Sequence, residues 1–298
     1  MIDVLCVGHA SFDITMSAPH HPEANEKMFA DGIQLCGGGP AANAAVQVAR
    51  LGGKAGLCAY LGNDPLGEAH ANELMDEGVD THGIVRGAHT TPVSQILAKP
   101  DGSRSVINFK GDTPWLPAGV LDETTLDALA PRIVLFDGHE PLISASICTW
   151  AMAHNIPTVL DAGSLHRGTR ELTARVDHLV ASEKFARQFT GTEELPSALN
   201  KLGKIADTVV ITSGESGLLW QHENQQGKVK AFDVRAVDST GAGDAFHGAY
   251  ALALARNYGW QKTLRFASAT GALACTRLGA RSALPDSKAL SALLTQLS

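Results

Sequence analysis

The sequence predicts an α/β protein. Helices cover both faces of a mostly parallel sheet, and a second, small antiparallel sheet stands off it. Three observations predict this. Short apolar runs alternate with longer helix-like stretches along most of the 298 residues, the pattern left by parallel strands buried on both faces. Residues 10–36 and 92–110 interrupt that rhythm, and the first is far longer than an ordinary βα connection. From Gly241 onward the chain reads as mostly helical.

The elements follow in order. Val4 to Val7 is a buried strand ending at Gly8. Pro40 to Leu51 is a helix rich in small residues, stopped by Gly52-Gly53. Leu57 to Leu61 is a second strand, and Pro65 to Glu77 a helix with Pro in its first turn and Gly78 just past its end. Ile133 to Phe136, Thr158 to Leu160, His178 to Val180 and Val209 to Ile211 are further short buried strands. Val93 to Ala98 and Ser105 to Phe109 flank the turn signal Pro100-Asp101-Gly102 and read as a hairpin. Val229 to Val237 reads as a strand feeding the glycine-bearing segment that follows it. No internal repeat, low-complexity tract or linker is evident.

Composition narrows the function. With 44% hydrophobic and 18% charged residues the chain can bury a sizeable core, so global disorder is excluded. A formal charge of −7 argues against nonspecific nucleic-acid binding, which needs a basic surface. The five cysteines carry no CxxC and fit neither a disulfide framework nor a zinc ribbon. Cys6 and Cys58 lie in apolar runs as core residues. No signal-like N-terminus and no membrane-length apolar run is present, so a cytoplasmic protein with no membrane partner is expected.

Four glycine-bearing segments carry the chemistry. In Asp238-Ser239-Thr240-Gly241-Ala242-Gly243-Asp244-Ala245-Phe246 the glycines open a helix, where free N–H groups and the helix dipole favour an anion, above all phosphate. A carboxylate at Asp244 beside that anion suits proton abstraction from an attacking hydroxyl. A capping acid on an ordinary helix explains the local segment equally well. Gly37-Gly38-Gly39-Pro40-Ala41-Ala42-Asn43 permits close approach of backbone to a polyol, with Asn43 offering an acceptor and donors. Taken alone it reads first as a flexible loop before a tightly packed alanine-rich helix. Thr212-Ser213-Gly214-Glu215-Ser216-Gly217 follows a strand, at the edge where open α/β sheets bind ligands, and is also a turn into Leu218-Leu219-Trp220. Gly279 to Pro285 is a loop between two helices. GxxxxGK[ST], a full dinucleotide fingerprint, HExxH and GxSxG are all missing.

Taken together and in this order, these segments resemble the ribokinase-like (PfkB) family of carbohydrate kinases. Gly37 to Asn43 is similar to its N-terminal signature and Asp238 to Phe246 to its C-terminal one. Val7-Gly8 with Asp13, and Leu61 to Gly67, also fit. The resemblance spans the chain. It implies one kinase domain over residues 1–298, a three-layer αβα sandwich, and a β-lid from segments 10–36 and 92–110. It implies ATP- and Mg²⁺-dependent phosphoryl transfer to a primary hydroxyl of a small sugar. By position, Asp244 would be the general base, and the amides of Ala242, Gly243 and Asp244 the anion hole, lined also by Thr240 and Gly241. Asp13, Gly38, Gly39 and Asn43 would hold sugar hydroxyls. Thr212, Gly214 and Gly217 would contact ATP, and the stretch from Gly271 to Gly279 would border adenine. Asp238, Thr240 and Gly279 match a K⁺ site found in several relatives. A homodimer through the lid is implied as well.

One departure stands out. The family's Asn-x-x-Glu is replaced by Ser182-Glu183-Lys184-Phe185, leaving Glu183 as a shifted candidate for Mg²⁺. A similar departure occurs in the sulfofructose kinase branch, whose sulfonate contacts align with Lys27 and Asn108, although Asp137-Gly138-His139 lacks the arginine expected there. A 6-deoxy-6-sulfofructose kinase, a nucleoside kinase and a non-catalytic sugar- or nucleotide-binding protein are the alternatives.

Overall fold

The computed structural model describes residues 1–100 and 103–296. Its first strand, β1 (Val4–Val7), is followed by β2 (Ser11–Ser17), β3 (Gly32–Gly38), α1 (Pro40–Arg50), β4 (Ala55–Gly62), α2 (Pro65–Asp76), β5 (Ile84–Gly87), β6 (Val93–Ala98) and β7 (Arg104–Phe109). Then come α3 (Glu123–Leu129), β8 (Ile133–Phe136), α4 (Pro141–Ala153), β9 (Thr158–Ala162), α5 (Arg167–Leu172), β10 (His178–Ser182), α6 (Glu183–Thr190), α7 (Leu195–Leu202), β11 (Thr208–Thr212), β12 (Leu218–His222), β13 (Gln225–Val229), α8 (Ala242–Ala255), α9 (Trp260–Ala274) and α10 (Ser287–Gln296).

Nine strands form the main sheet in the order β13-β12-β11-β10-β9-β8-β1-β4-β5. β12 and β13 run antiparallel to their neighbours, and the remaining pairs are parallel. Alternate residues of each strand enter opposite cores. Val4, Cys6, Leu135, Val159, Val180 and Val210 pack under α1, α8 and α9. Leu5, Val7, Val134, Phe136, Leu160 and Leu179 pack under the helices of the other face. This double burial explains why the strands read as unbroken apolar runs. Among the described residues no helix is long and apolar enough to cross a membrane.

The two insertions join into one four-stranded sheet, β3-β2-β6-β7, as expected, but it is mixed rather than antiparallel: β2–β3 and β6–β7 are antiparallel, whereas β2 and β6, which come from different insertions and are joined by no hairpin, pair in parallel. Asp101 and Gly102 of the turn signal lie outside the described residues. The expected strand from Val229 to Val237 is corrected: β13 ends at Val229 and residues 230–237 form no strand. The N–H groups of Val237 and Asp238 donate instead to Cys275 O at the end of α9, at 2.8 and 3.2 Å. The apolar alternation there arises from side chains such as Phe232 packing on the core beneath the helices, not from a sheet ladder. β9, β10 and β11 also run past their predicted ends to Ala162, Ser182 and Thr212, because polar residues that belong to the site continue the strands beyond their apolar stretches.

Helices α1 and α8 lie side by side. A Cβ on Gly248 would stand 2.6 Å from Ala44 O, so glycine and the alanines of α1 let the two backbones approach closely. That approach brings the first turns of both helices together over the C-terminal ends of the central strands.

Candidate active site

Two helix starts build the centre. Pro40 opens α1 after Gly39, whose φ of 92° favours glycine. Gly241, with φ 76°, precedes α8, and a Cβ there would press on Ala280 at 3.0 Å. Among the described residues the N–H groups of Gly243 and Asp244 have no protein acceptor, whereas Ala242 N–H reaches Ser239 O at 3.3 Å. Two donors thus point outward at the positive end of a 14-residue helix, as an anion site requires.

Asn43 Nδ2 donates to Asp244 Oδ2 at 2.8 Å, joining the two predicted signatures. Burial, with neighbouring Asp161 as the next cause, pushes the Asp244 carboxyl up to about 7, while the Asn43 hydrogen bond and His247 oppose the rise. Asp161, at the end of β9, is likewise pushed up to about 7, first by burial and then by Asp137. His247 Nδ1 lies 3.2 Å from Asp161 Oδ2 and 2.6 Å from Gly243 O, and Nε2 lies 3.2 Å from Val180 O.

Asp137 closes the floor. Its carboxylate accepts the N–H groups of His9, Ala41 and His139 at 2.7, 3.1 and 2.8 Å, tying β1, β8 and α1 together. It lies so close to Gly8 that a Cβ there would meet Oδ1 at 2.0 Å. His9, His139 and His166 line the same edge, His9 tilted against His139 with ring centroids 5.4 Å apart and His139 stacked on His166 at 4.4 Å. Burial lowers His9 and His166 to about 4 and so keeps both neutral near pH 7. Glu140 accepts from Leu116 N at 2.7 Å and pairs with Lys110 at 2.9 Å.

Asp13 on β2 takes a hydrogen bond from Ser11 Oγ at 2.9 Å and fills the space above Gly38, where a Cβ would meet its Oδ2 at 2.1 Å. Asp13, Gly38, Gly39, Asn43 and Asp244 therefore come together. Asn108, exposed on β7, shares a row with Ser94 and Asp13 across β6 and β2. Lys27 is exposed on the connection between β2 and β3, and among the described residues no contact joins it to this centre.

Asp238, Thr240 and Gly279 also meet. Asp238 Oδ1 accepts the Thr240 N–H and hydroxyl at 2.9 and 2.6 Å, and Oδ2 accepts Gly279 N–H at 2.9 Å. The small sheet reaches these loops: Arg104 Nη1 lies 3.1 Å from Ser239 Oγ. Thr212, Gly214 and Gly217 form the turn from β11 into β12, with φ 52° at Gly214 and 84° at Gly217. Glu183 accepts from Ser213 Oγ at 3.1 Å and pairs with Arg187 at 3.2 Å.

The departure at residues 182–185 has a structural account. Ser182 Oγ caps α6 by accepting Phe185 N–H at 3.0 Å and donates to Gly163 O at 2.9 Å. Phe185 is fully buried and stacks on Phe189. A side chain at this position faces the core, so apolar character there stabilises the helix layer. Sequence reasoning missed Asp137, Asp161, His247 and Arg281. Asp137 and Asp161 did have a signal, since each closes an apolar run at the strand end where α/β sheets bind ligands.

Comparison with known proteins agrees with this fold. The family model for pfkB family carbohydrate kinases matches residues 1–287. The ribokinase of Haemophilus influenzae is 27% identical over 94% of both chains. The ATP-dependent ribose-1-phosphate kinase of Halopiger xanaduensis is 29% identical over 99% of both. Among solved structures, Arabidopsis thaliana ribokinase complexed with ribose and ATP superposes with a TM-score of 0.87 at 26% identity, over 98% of each chain. Thermotoga maritima ribokinase gives 0.88 at 26%, over 99% of this chain and 100% of that one. The chain belongs to the pfkB family of carbohydrate kinases, phosphotransferases that act on a hydroxyl group.

Proposed function

We propose that this kinase, acting in the cytoplasm, transfers the γ-phosphoryl group of ATP to a primary hydroxyl of a small sugar of pentose or ketose type. The observation that carries the reading is Asp244, a carboxylate beside the open amides of α8 and held by Asn43 from the opposing helix. Asp244 takes the hydroxyl proton, the amides of Gly243 and Asp244 orient the transferring group, and Asp13 and Asn43 position the sugar. Thr212, Gly214 and Gly217 hold the nucleotide, and the small sheet acts as a lid that excludes water.

Mg²⁺ belongs with the nucleotide in this proposal. Asp244 takes the hydroxyl proton and would stay unliganded, which leaves the ion chiefly to the nucleotide phosphates. Such an ion neutralises phosphate charge. Glu183 is a weaker holder, since Arg187 and Ser213 already engage it. Among the described residues no three His, Cys, Asp or Glu form a metal-holding group, so the phosphates would supply most ligands. K⁺ beside Asp238, Thr240 and Gly279 is proposed on their convergence.

The lid also supports a homodimer. Register places Leu35, Ile14 and Ile107 in rows on the face opposite Asp13, with Phe109 on that face, and Ile33, Leu35, Ile107 and Phe109 are exposed. An exposed apolar sheet face favours self-association. Light scattering is expected to show a dimer, and a monomer after Leu35→Asp with Ile107→Asp; a monomeric wild type overturns this element.

The function is tested by coupled ATP turnover with ribose, deoxyribose, fructose, ribose 1-phosphate, nucleosides and 6-deoxy-6-sulfofructose, with Mg²⁺ and with or without K⁺. Turnover of a neutral sugar is expected. Turnover confined to nucleosides or to the sulfosugar overturns the substrate class and selects that alternative. ATP binding with no turnover on any acceptor favours the non-catalytic reading.

A further inference from the structure

Arg281 is a fully buried arginine in the loop between α9 and α10, 2% exposed. Its Nη1 donates to Glu73 Oε1 at 3.1 Å, its Nη2 lies 3.3 Å from His70 Nε2, and its Nε donates to Asn43 Oδ1 at 3.1 Å. Burying a guanidinium is costly unless it is paired and fully hydrogen-bonded. Glu73 supplies the countercharge and spends its other oxygen on Gly37 N–H. Arg50 fastens the loop from outside by donating to Arg281 O and Leu284 O at 2.9 Å each. The network joins α1, α2, β3 and the loop, and it ends on the amide that holds Asp244.

The direction of that amide follows from donor chemistry. A guanidinium has donors only, so the end of the Asn43 amide facing it must be the oxygen. The NH₂ end then faces Asp244, where it donates at 2.8 Å. Turned over, the amide would present oxygen to a carboxylate and nitrogen to a guanidinium, two like-facing contacts in place of two hydrogen bonds. Polarisation by a charged donor also strengthens the N–H on the far side of the amide. The groups facing Asp244 are Asp161 from β9, Asp137 beyond β8, His247 from α8 and Asn43 from α1. Those facing Arg281 are Glu73, His70, Cys36, Glu77 and Arg50, with Asp13 from β2. Asn43 joins the two sets.

We propose that Arg281 is a positioning residue for phosphoryl transfer, acting through Asn43: it fixes the amide with its NH₂ toward Asp244 and so holds that carboxylate ionised and oriented without touching it. The inference rests on the reading of Asp244 as the base. Substitutions are compared through the acid limb of the pH profile of kcat/KM. Arg281→Met, made together with Glu73→Gln so that no charge is left buried alone, is expected to move the limb upward by about one pH unit and to lower kcat by up to about 100-fold. Asn43→Ala is expected to move it equally. Adding the Arg281 and Glu73 changes to Asn43→Ala is expected to move it no further, since contacts in one chain of hydrogen bonds are not additive. Arg281→Gln, which keeps an N–H₂ for Asn43 Oδ1, is expected to restore the wild-type limb.

An unmoved limb with only a lower melting temperature marks a structural arginine and overturns the proposal, as do additive shifts or failure of Arg281→Gln to restore the limb. A measurement on the wild type requires no variant to fold. The side-chain amide protons of isotopically labelled Asn43 are expected to titrate with Asp244, and an amide that does not sense it overturns the proposal. Asp244→Asn separates the two layers. If it abolishes turnover while the Arg281 variants keep the limb, the base stands and Arg281 falls; if it turns over normally, both fall.

Discussion

Asp244→Asn is expected to keep the fold and to lose about 10²- to 10⁴-fold in kcat, the range a positioned general base contributes. The substitution preserves size and still offers an oxygen to Asn43 Nδ2, so the α1–α8 junction remains closed. The backbone donors of Gly243 and residue 244 are untouched, so nucleotide and sugar still bind and KM changes little. What is lost is the acceptor of the hydroxyl proton. In the wild type that acceptor must be ionised, and burial places its carboxyl at about 7 rather than in the ordinary carboxylate range. The acid limb of kcat/KM is therefore expected near pH 7, falling tenfold per unit below it. Wild-type turnover by Asp244→Asn, measured with the sugar that gives activity, would remove the base from this position.

Asp161→Asn is expected to stabilise the protein at pH 8 and to move the same limb to lower pH. Asp161 is withdrawn from water beside Asp137, which with burial raises its cost of ionisation, and its own charge in turn raises that of Asp244. The carboxyl of Asp161 stands at about 7 in the folded chain against 3.8 as the ordinary value. Between those values the folded state keeps a proton that the unfolded state releases. Stability therefore falls as pH rises through that window, and the full penalty, on the order of a few kcal/mol, is present above pH 7. Asparagine removes the charge and retains an oxygen for His247. Its melting temperature is expected to exceed that of the wild type at pH 8, with the gap closing toward pH 4. A gap that is the same at both pH values would show that the Asp161 carboxylate carries no such strain. Loss of the Asp161 charge also relieves Asp244, which explains the direction in which the limb moves.

How much of this was legible depends on how local each cause is. β1, α1, β4 and α2 were readable because an apolar run, a proline in a first turn and a glycine after a last turn lie within a few residues of one another. The opening of α8 was readable for the same reason. Gly241, Gly243 and Asp244 are sequence neighbours, and free amides at a helix start follow from the helix itself. The segment before it misled, since apolar alternation in residues 230–237 serves packing on the core beneath the helices and no neighbouring strand continues the ladder. Phe185 showed only as a missing glutamate; its reason is a place in the core that no local pattern reports.

The sequence by itself determined the layered α/β fold, the two insertions that become a second sheet, and the glycine-opened helix with its acid. Each rests on periodicity or on neighbouring residues. The tertiary structure alone decided the meeting of Asn43 with Asp244, residues 201 positions apart, the raised carboxyls of Asp161 and Asp244, the three backbone hydrogen bonds of Asp137, and the burial of Arg281 against Asn43. Parallel strands bring their C-terminal ends to one edge whatever their separation in sequence. Ionisation and amide direction there follow from which charges are withdrawn from water together, a property of the packed molecule rather than of any segment.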